Sequence, residues 1–140
     1  MALPAGYALA DEVPSVDEYR HLRRAAGLTD RSAATATAGL ANTWAGVVVR
    51  DETGAAVGMG RVIGDRGCFF DVVDIAVLLD HQRRGLGDAI LTRLLERLRD
   101  EAPADARVSL FADPPGRQLY ARHGFGPTDP DEVGMVLRRD

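Results

Sequence analysis

The stretch VDIAVLLDHQRRGLGDAILTRLL, residues 73–95, decides the fold. It begins as an apolar strand, passes through a basic loop with Gly85 and Gly87, and ends as a helix with an apolar stripe. The first N–H groups of a helix have no partner inside it, and its dipole makes that end positive. Glycines let an anion approach the backbone closely, and Arg83 and Arg84 add positive charge. The loop therefore suits a phosphate or pyrophosphate; the alternative is a glycine-containing turn with solvated arginines.

Two common phosphate-binding motifs are excluded here. A P-loop requires Gly-Lys followed by Ser or Thr, and the chain contains no lysine. A dinucleotide-binding fingerprint requires GxGxxG, whereas GLGDAI, residues 85–90, ends in isoleucine. The loop by itself leaves the choice between a phosphate site and a plain turn open.

Composition limits the class of protein. The 140 residues are enough for one domain spanning 1–140, and the net charge of −4 argues against a nucleic-acid partner. The single cysteine, Cys68, excludes an internal disulfide and is expected to be a small core residue. Three scattered histidines predict no metal site. Without a targeting segment or an apolar run of roughly 20 residues, the sequence predicts a soluble cytoplasmic protein with no membrane partner.

Turn residues and hydrophobic periodicity predict the order β-α-α-β-β-β-α-β-α-β. The helical crossover between strands 68–77 and 107–112 makes those two strands parallel in an otherwise antiparallel sheet, so the predicted fold class is mixed α/β. The other predicted strands are 7–10, 44–50, 55–64 and 134–139.

Helix boundaries follow from capping residues. Ser15 and Glu18 predict a capping box, and the helix after them places Tyr19 and Arg23 on the same side as two apolar residues. Gly27 is expected to end that helix. A second helix over 31–42 is capped by Asp30 or Ser32, a third covers 86–99, and a fourth runs from Asp113-Pro114-Pro115 to His123.

Residues 73–95 resemble motif A of the GNAT superfamily, the Gcn5-related N-acetyltransferases. Its core, Gln/Arg-x-x-Gly-x-Gly/Ala, is matched by Gln82, Gly85 and Gly87. Downstream, LYARHGF, residues 119–125, resembles motif B of the same family. The resemblance covers roughly 44–140 well and the helical N-terminus loosely. It implies a mostly antiparallel sheet whose central parallel pair splays around the cofactor, flanked by about four helices.

The resemblance implies a site for acetyl-coenzyme A. The backbone of Ile75, Ala76 and Val77 is expected to pair with the pantetheine arm, because a splayed strand edge offers free N–H and C=O groups. Gln82 belongs to the same motif. The N–H groups expected around the pyrophosphate are those of Arg83, Arg84, Gly85, Leu86, Gly87 and Asp88.

The resemblance also implies catalytic roles. Tyr120 matches the motif B tyrosine that protonates the departing thiolate in many members; the alternative is a ring packed between helix and sheet. Asp74 is the first candidate for the general base and Asp71 is the second. The alternative is that one or both aspartates bond to the backbone or to an arginine such as Arg61. A β-bulge, common in this strand of the family, would change which faces the two aspartates take. Asp113 stands where many members carry an asparagine that contacts pantetheine, but before Pro114 it is better interpreted as an N-cap.

The resemblance implies that the N-terminal helices and loops, residues 13–43, select the acceptor, and the candidate pocket walls are Tyr19, Trp44 and the small-residue helix 31–42. Asp71 and Asp74 favour a cationic amine electrostatically. We therefore expect acetyl transfer from acetyl-CoA to a primary amine of a small molecule, by direct attack in a ternary complex. The alternatives are acetylation of a protein N-terminus or lysine and, in another class, a non-catalytic acyl-CoA sensor. A homodimer is compatible with the resemblance, but the sequence does not determine it.

Overall fold

The computed structural model of the chain describes residues 3–139, which form two compact units divided between Leu110 and Phe111. The first unit contains a five-stranded sheet in the order β1-β2-β3-β4-β5. Neighbouring strands are antiparallel except β4 and β5, which are parallel. The elements of this unit are β1 (Ala8–Ala10), α1 (Val16–Ala25), α2 (Ala33–Ala41), β2 (Ala45–Arg50), β3 (Ala56–Gly64), β4 (Phe69–Val77), α3 (Leu86–Glu101) and β5 (Arg107–Ser109).

The predicted capping residues begin the first two helices. The Ser15 hydroxyl accepts a hydrogen bond from the Glu18 N–H at 3.1 Å, and the Glu18 carboxylate accepts one from the Ser15 N–H at 2.9 Å. This capping box confirms the predicted start of α1. Ser32, rather than Asp30, caps α2 by accepting from the Thr35 N–H at 3.1 Å.

The sheet carries α1 and α2 on one face and α3 on the other, because alternate strand residues point to opposite faces. Met59 of β3 is fully buried in a cluster with Tyr19 and Leu22 of α1. Its neighbour Gly60 lies on the α3 side, where an added Cβ would come within 2.6 Å of side-chain atoms of Ile75 and Ile90. The predicted amphipathic helix is thus confirmed as α3, with Leu86, Ile90, Leu91 and Leu94 almost completely buried.

The second unit contains a 3₁₀ turn at Pro114–Gly116 followed by α4 (Arg117–Arg122). The helix ends at Gly124, whose φ of +94° is the left-handed conformation that glycine adopts without steric cost. No helix within residues 3–139 is both long enough and apolar enough to cross a membrane.

Four predictions are corrected by the structure. Residues 134–139 form no strand, because the described part of the second unit contains no strand for them to pair with. The parallel pair consequently lies at the end of the sheet and not at its centre. Asp113 does occupy the N-cap position before Pro114, but of a 3₁₀ turn, and its side chain makes no capping hydrogen bond. Cys68 is exposed and so does not belong to the core, because it follows the turn at 65–67.

Candidate active site

The candidate active site begins at a β-bulge in β4. Met59 pairs with Ala76 and Arg61 pairs with Val73, so Gly60 alone faces both Asp74 and Ile75. Asp74 adopts a φ of +60°, a left-handed conformation that is unusual for a residue other than glycine. Such strained residues persist where the surrounding structure holds them, and they cluster at functional sites.

The bulge changes which face of the sheet the two aspartates occupy. Without a bulge, residues three apart point to opposite faces. Asp71 lies opposite Ile63, which shares a face with Arg61. The Asp74 side chain bonds that same Arg61, so both aspartates lie on the face that carries α1.

The carboxylate of Asp74 is enclosed by three donors. Arg23 Nη1 donates to one oxygen at 2.5 Å, while Arg61 Nε and the Tyr19 hydroxyl donate to the other at 2.8 and 2.9 Å. The Asp74 side chain is 5% exposed, and those of Arg23 and Arg61 are 9% and 8% exposed. We name Tyr19, Arg23, Arg61 and Asp74 the arginine cluster.

Oxygen atoms of the helical region accept further hydrogen bonds from the two arginines. Arg61 Nη1 donates to the Gly39 carbonyl at 3.1 Å and to the Thr43 hydroxyl at 2.7 Å. Arg23 Nε donates to the Thr29 carbonyl at 2.6 Å. The cluster therefore joins α1, α2 and the segments after them to β3 and β4.

Tyr19 is the neutral member of the arginine cluster. Both guanidinium carbons lie over its ring, 5.9 Å from the centroid for Arg23 and 5.5 Å for Arg61. Burial, followed by the negative charge of Asp74, raises the pKa of the Tyr19 hydroxyl above its usual value. The phenol is therefore a hydrogen-bond donor at neutral pH.

Asp71 has a different environment from Asp74. It is exposed, and its carboxylate accepts a hydrogen bond from the Ser109 hydroxyl at 2.7 Å. Asp71 and Ser109 are also the last residues paired between β4 and β5. The polar pair thus marks the point where the parallel strands separate.

Beyond Asp71, β4 continues to Val77, and no described strand pairs with that edge. The predicted pantetheine-binding residues Ile75, Ala76 and Val77 lie on this unpaired stretch. Ala76 is buried with the α1 side of the core, and Ile75 points toward α3. Because their side chains face the core, the strand can offer a ligand mainly its backbone groups.

The loop after β4 leads directly to the start of α3. Gln82 Nε2 donates to the Val77 carbonyl at 3.0 Å, which ties the loop back to the strand end. Arg83 and Gly85 have left-handed φ values of +63° and +82°. Gly85 is the N-cap of α3, and its carbonyl accepts the first intrahelical hydrogen bond, from Ala89 at 3.0 Å.

The N–H groups of Leu86 and Gly87 come before that first intrahelical bond, at the positive end of the helix dipole. Asp88 is the acidic residue of the first turn, where the helix dipole favours negative charge. Arg83 is exposed at the loop surface. The structure thus brings all six predicted pyrophosphate-binding residues into one loop and helix start.

Arg84 is oriented by Tyr7 and His81, which no sequence pattern singles out. Its Nη1 donates to the Tyr7 hydroxyl at 2.9 Å, and that hydroxyl lies 2.7 Å from His81 Nδ1. Because an arginine can only donate, the Tyr7 hydrogen is free to point to His81. No local sequence signal could have placed Tyr7, which is 77 residues from Arg84.

Arg23 was also not selected, although a signal for it existed. It is the one charged residue on the side of α1 that carries Tyr19 and Leu22, and all three are buried. A charged side chain on a buried helix face requires a partner. That partner is Asp74.

In the second unit, Tyr120 packs its ring against Gly116 and Phe125. An added Cβ on Gly116 would lie 2.8 Å from the Tyr120 ring, and the two aromatic ring centroids are 6.2 Å apart. Burial, followed by the negative charge of Asp113, raises the pKa of the Tyr120 hydroxyl. The phenol therefore keeps its proton at neutral pH.

A mixed sheet that opens at a parallel pair, followed by a glycine loop at a helix start, is the arrangement that the resemblance implies for an acyl-CoA-dependent transferase. The family model for the acetyltransferase (GNAT) domain matches residues 27–136. This chain belongs to the GNAT acetyltransferase family.

Solved structures and curated relatives agree with this assignment. A structure from meticillin-resistant Staphylococcus aureus, described as a probable acetyltransferase of unknown function, is 35% identical with a TM-score of 0.89 and covers 95% of this chain and 99% of its own. A GNAT family protein from Streptococcus pneumoniae is 23% identical with a TM-score of 0.79, covering 95% and 98%, and shows the fold. An uncharacterized N-acetyltransferase, ycf52, of Pyropia yezoensis is 31% identical over 60% of this chain and 47% of its own length. The chain thus spans about half the length of that curated relative.

Proposed function

We propose that this protein transfers the acetyl group of acetyl-CoA to a primary amine of a small molecule, by direct attack in a ternary complex. The observation that carries the proposal is the edge of β4 beyond Asp71, which no strand within residues 3–139 pairs with and which leads into the Gly85–Gly87 loop. A GNAT enzyme needs these two features side by side to hold both ends of the cofactor.

The residues of this chain fit acetyl-CoA at both features. The β4 edge at 75–77 would satisfy the amides of the pantetheine arm, and the loop and first turn of α3 would hold the pyrophosphate through N–H groups. The cofactor supplies an activated acetyl thioester. We propose that backbone N–H groups, and not the arginine side chains, make the main contacts to the pyrophosphate. Arg83 is exposed, and the Arg84 guanidinium is already bonded to Tyr7.

For the general base, both predicted aspartates remain candidates, and their contacts now favour Asp71. Protonating Asp74 would break two buried ion pairs, with Arg23 and Arg61. Asp71 is exposed at the end of the parallel pairing, where its carboxylate accepts a hydrogen bond from the Ser109 hydroxyl. We therefore propose that Asp71, directly or through a water, removes the amine proton, and that Asp74 positions the bulge.

Tyr120 is the proposed general acid for the departing thiolate. A raised pKa keeps its phenol protonated, which is the form that an acid must have before it donates. We also propose that Asp113, whose charge raises the pKa of Tyr120, contacts the pantetheine arm.

Cofactor binding and turnover are tested separately. Acetyl-CoA should raise the thermal midpoint of the protein, since a ligand of the native state stabilises it. Release of CoA over a panel of amines, read with a thiol reagent, should then find an acceptor. Because Cys68 is exposed and would consume the reagent, the assay uses Cys68→Ser.

The outcomes separate the candidate functions. Stabilisation with turnover of a small amine supports the proposal. Turnover of peptides alone would replace it with protein acetylation. Stabilisation without turnover of any amine or peptide would replace it with an acyl-CoA sensor, and no stabilisation at saturating acetyl-CoA would contradict all three.

We also propose that the protein acts as a homodimer in the cytoplasm. Its described C-terminal segment supports self-association, since Val133, Met135, Val136 and Leu137 are each 78–86% exposed. Exposed apolar side chains grouped in this way often mark a protein interface. Light scattering after size exclusion measures the mass, and a monomer at all concentrations would contradict the dimer.

A further inference from the structure

The arginine cluster carries more positive than negative charge. Arg23 and Arg61 each contribute one positive charge, and the only carboxylate bonded to them within residues 3–139 is that of Asp74. Tyr19 cannot balance the difference, because its raised pKa keeps it neutral. The cluster therefore holds one surplus positive charge among side chains that are more than nine-tenths buried.

Each of the two guanidinium groups has one nitrogen atom that makes no hydrogen bond to the described residues. Arg23 donates through Nε and Nη1, to Thr29 and Asp74. Arg61 also donates through Nε and Nη1 only, to Asp74, Gly39 and Thr43. The Nη2 of each arginine has no acceptor among the described residues.

Those two Nη2 atoms are not completely enclosed by protein. No buried side-chain nitrogen or oxygen in residues 3–139 is left without a partner, so an Nη2 atom without an acceptor must retain some solvent access. Arginine pairs well with carboxylate and phosphate because its fork of donors matches their oxygens. A buried surplus charge is also costly until an anion compensates it.

The position of the cluster relates it to the proposed reaction. Asp74 directly precedes Ile75, the first residue of the β4 edge assigned to the pantetheine arm. The arginines come from α1 and β3, and their carbonyl partners Thr29 and Gly39 lie in the region expected to wall the acceptor pocket. Because the charge of Asp74 is already neutralised by the arginines, Asp71 is the aspartate left to attract the cationic amine.

We propose that the acceptor is an amine that also carries an anionic group, a carboxylate or a phosphate, and that Arg23 and Arg61 bind this anionic group. The inference rests on the proposed acetyltransferase function and adds the chemical class of its substrate. It distinguishes amino acids and phosphorylated amines from polyamines and arylalkylamines.

The test compares matched acceptors that differ only in the anion. One pair is an amino acid and its carboxamide, another is a phosphorylated amino sugar and the unphosphorylated sugar, and a diamine is added. For the matching anion we expect kcat/KM to exceed that of its neutral partner by at least about tenfold, the usual effect of one charge-assisted hydrogen bond. A preference within the amino acid pair identifies a carboxylate as the bound anionic group, and a preference within the sugar pair identifies a phosphate. Equal rates in both pairs, or a preference for the diamine, would overturn the proposal.

Substitutions of Arg23 test whether this residue causes the preference for anionic acceptors. Arg23→Gln leaves Asp74 bonded to Arg61 and Tyr19, so the chain is expected to fold with a neutral cluster. Its anion preference should fall by about tenfold, mainly through KM, and Arg23→Lys should restore part of it. Arg93→Gln is the matched control, since Arg93 is paired on the surface with Asp11 and should keep the wild-type preference. An unchanged preference in Arg23→Gln would overturn the assignment.

A binding measurement separates failure of this inference from failure of the proposed function. The full chain with CoA is heated with each member of a pair, and the anionic member should raise the thermal midpoint more than its neutral partner. Equal midpoints would overturn the anion site even if amines are acetylated. Absence of any acetyl-CoA effect and of any turnover would instead overturn the proposed function.

Discussion

Arg61 donates from Nε to Asp74 at 2.8 Å and thereby joins β3 to β4 across the bulge. Arg23 holds the other oxygen of the same carboxylate from α1. The left-handed backbone of Asp74 is thus fixed from a helix and a neighbouring strand at once. The bulge that shapes the proposed acceptor side of the site therefore depends on ion pairs distant in sequence.

Asp74→Asn should strongly destabilise the protein. The substitution leaves two buried guanidinium groups without a counter-charge, which costs about 3–5 kcal/mol of unfolding free energy. Urea unfolding followed by circular dichroism measures the loss. Asp71→Asn is the matched control, and its cost should stay below about 1 kcal/mol because Asp71 is exposed. Equal effects of the two substitutions would show that the cluster does not hold the bulge.

Gly60→Ala should destabilise through overpacking. The added Cβ would lie 2.6 Å from atoms of Ile75 and Ile90, so both side chains would have to shift on the face packed against α3. We expect a loss of about 1–3 kcal/mol, measured by thermal and urea unfolding.

The same substitution at Gly39 is the control for Gly60→Ala. An added Cβ at Gly39 meets nothing closer than 3.9 Å, and alanine favours a helix interior such as α2. Gly39→Ala should therefore leave stability unchanged or raise it by roughly 0.5–1 kcal/mol. A milder effect at position 60 than at 39 would contradict the packing described for the bulge.

Local signals in the sequence were sufficient for most elements of the first unit. The Ser15 capping box, the apolar stripe of α3 and the turns between β2, β3 and β4 depend on neighbouring residues, so the pattern predicted them. The strand predicted at 134–139 failed because a strand also requires a partner, which local alternation cannot supply. β5 is three residues long and not six because it pairs with β4 only as far as Ser109, where the parallel strands separate.

The chemistry of the site was less predictable than its position. The glycine loop was found because its function depends on contiguous backbone. The arginine cluster depends on contacts between residues 13 to 55 positions apart, so the sequence indicated a costly charge at Asp74 without deciding its partners. The network of Tyr7, His81 and Arg84 arises in the same way.

The grip on the pyrophosphate should depend more on the backbone than on side chains. Gly87→Pro removes an N–H group in the first turn of α3, a part of the helix where proline is tolerated. The Kd for acetyl-CoA, measured by calorimetry, should rise by about tenfold or more, the loss of one charge-assisted hydrogen bond. Arg83→Ala should change it by no more than about threefold, since the side chain is exposed and screened. The reverse ranking would mean that arginine side chains hold the phosphates.

Tyr120→Phe should lower kcat and leave acetyl-CoA binding intact. The phenyl ring keeps its contacts with Gly116 and Phe125, while the proton donor is lost. Loss of a general acid costs about 10²–10⁴-fold in rate. Steady-state kinetics and calorimetry on the same preparation separate the two effects, and an unchanged kcat would remove Tyr120 from the mechanism.

The pH profile should reveal the same acid. A general acid acts in its protonated form, so turnover through Tyr120 is retained below its pKa and falls as the pH rises through it. Burial and the charge of Asp113 both raise this pKa above the usual 10.0, which moves the alkaline fall to higher pH. Asp113→Asn removes the second cause, so the fall in kcat should shift to lower pH. Asp129→Asn is the control, because it makes the same charge change elsewhere in the second unit. It should leave the pH of the alkaline fall in kcat unchanged. An equal shift of that fall in both variants would indicate a general charge effect unrelated to Tyr120.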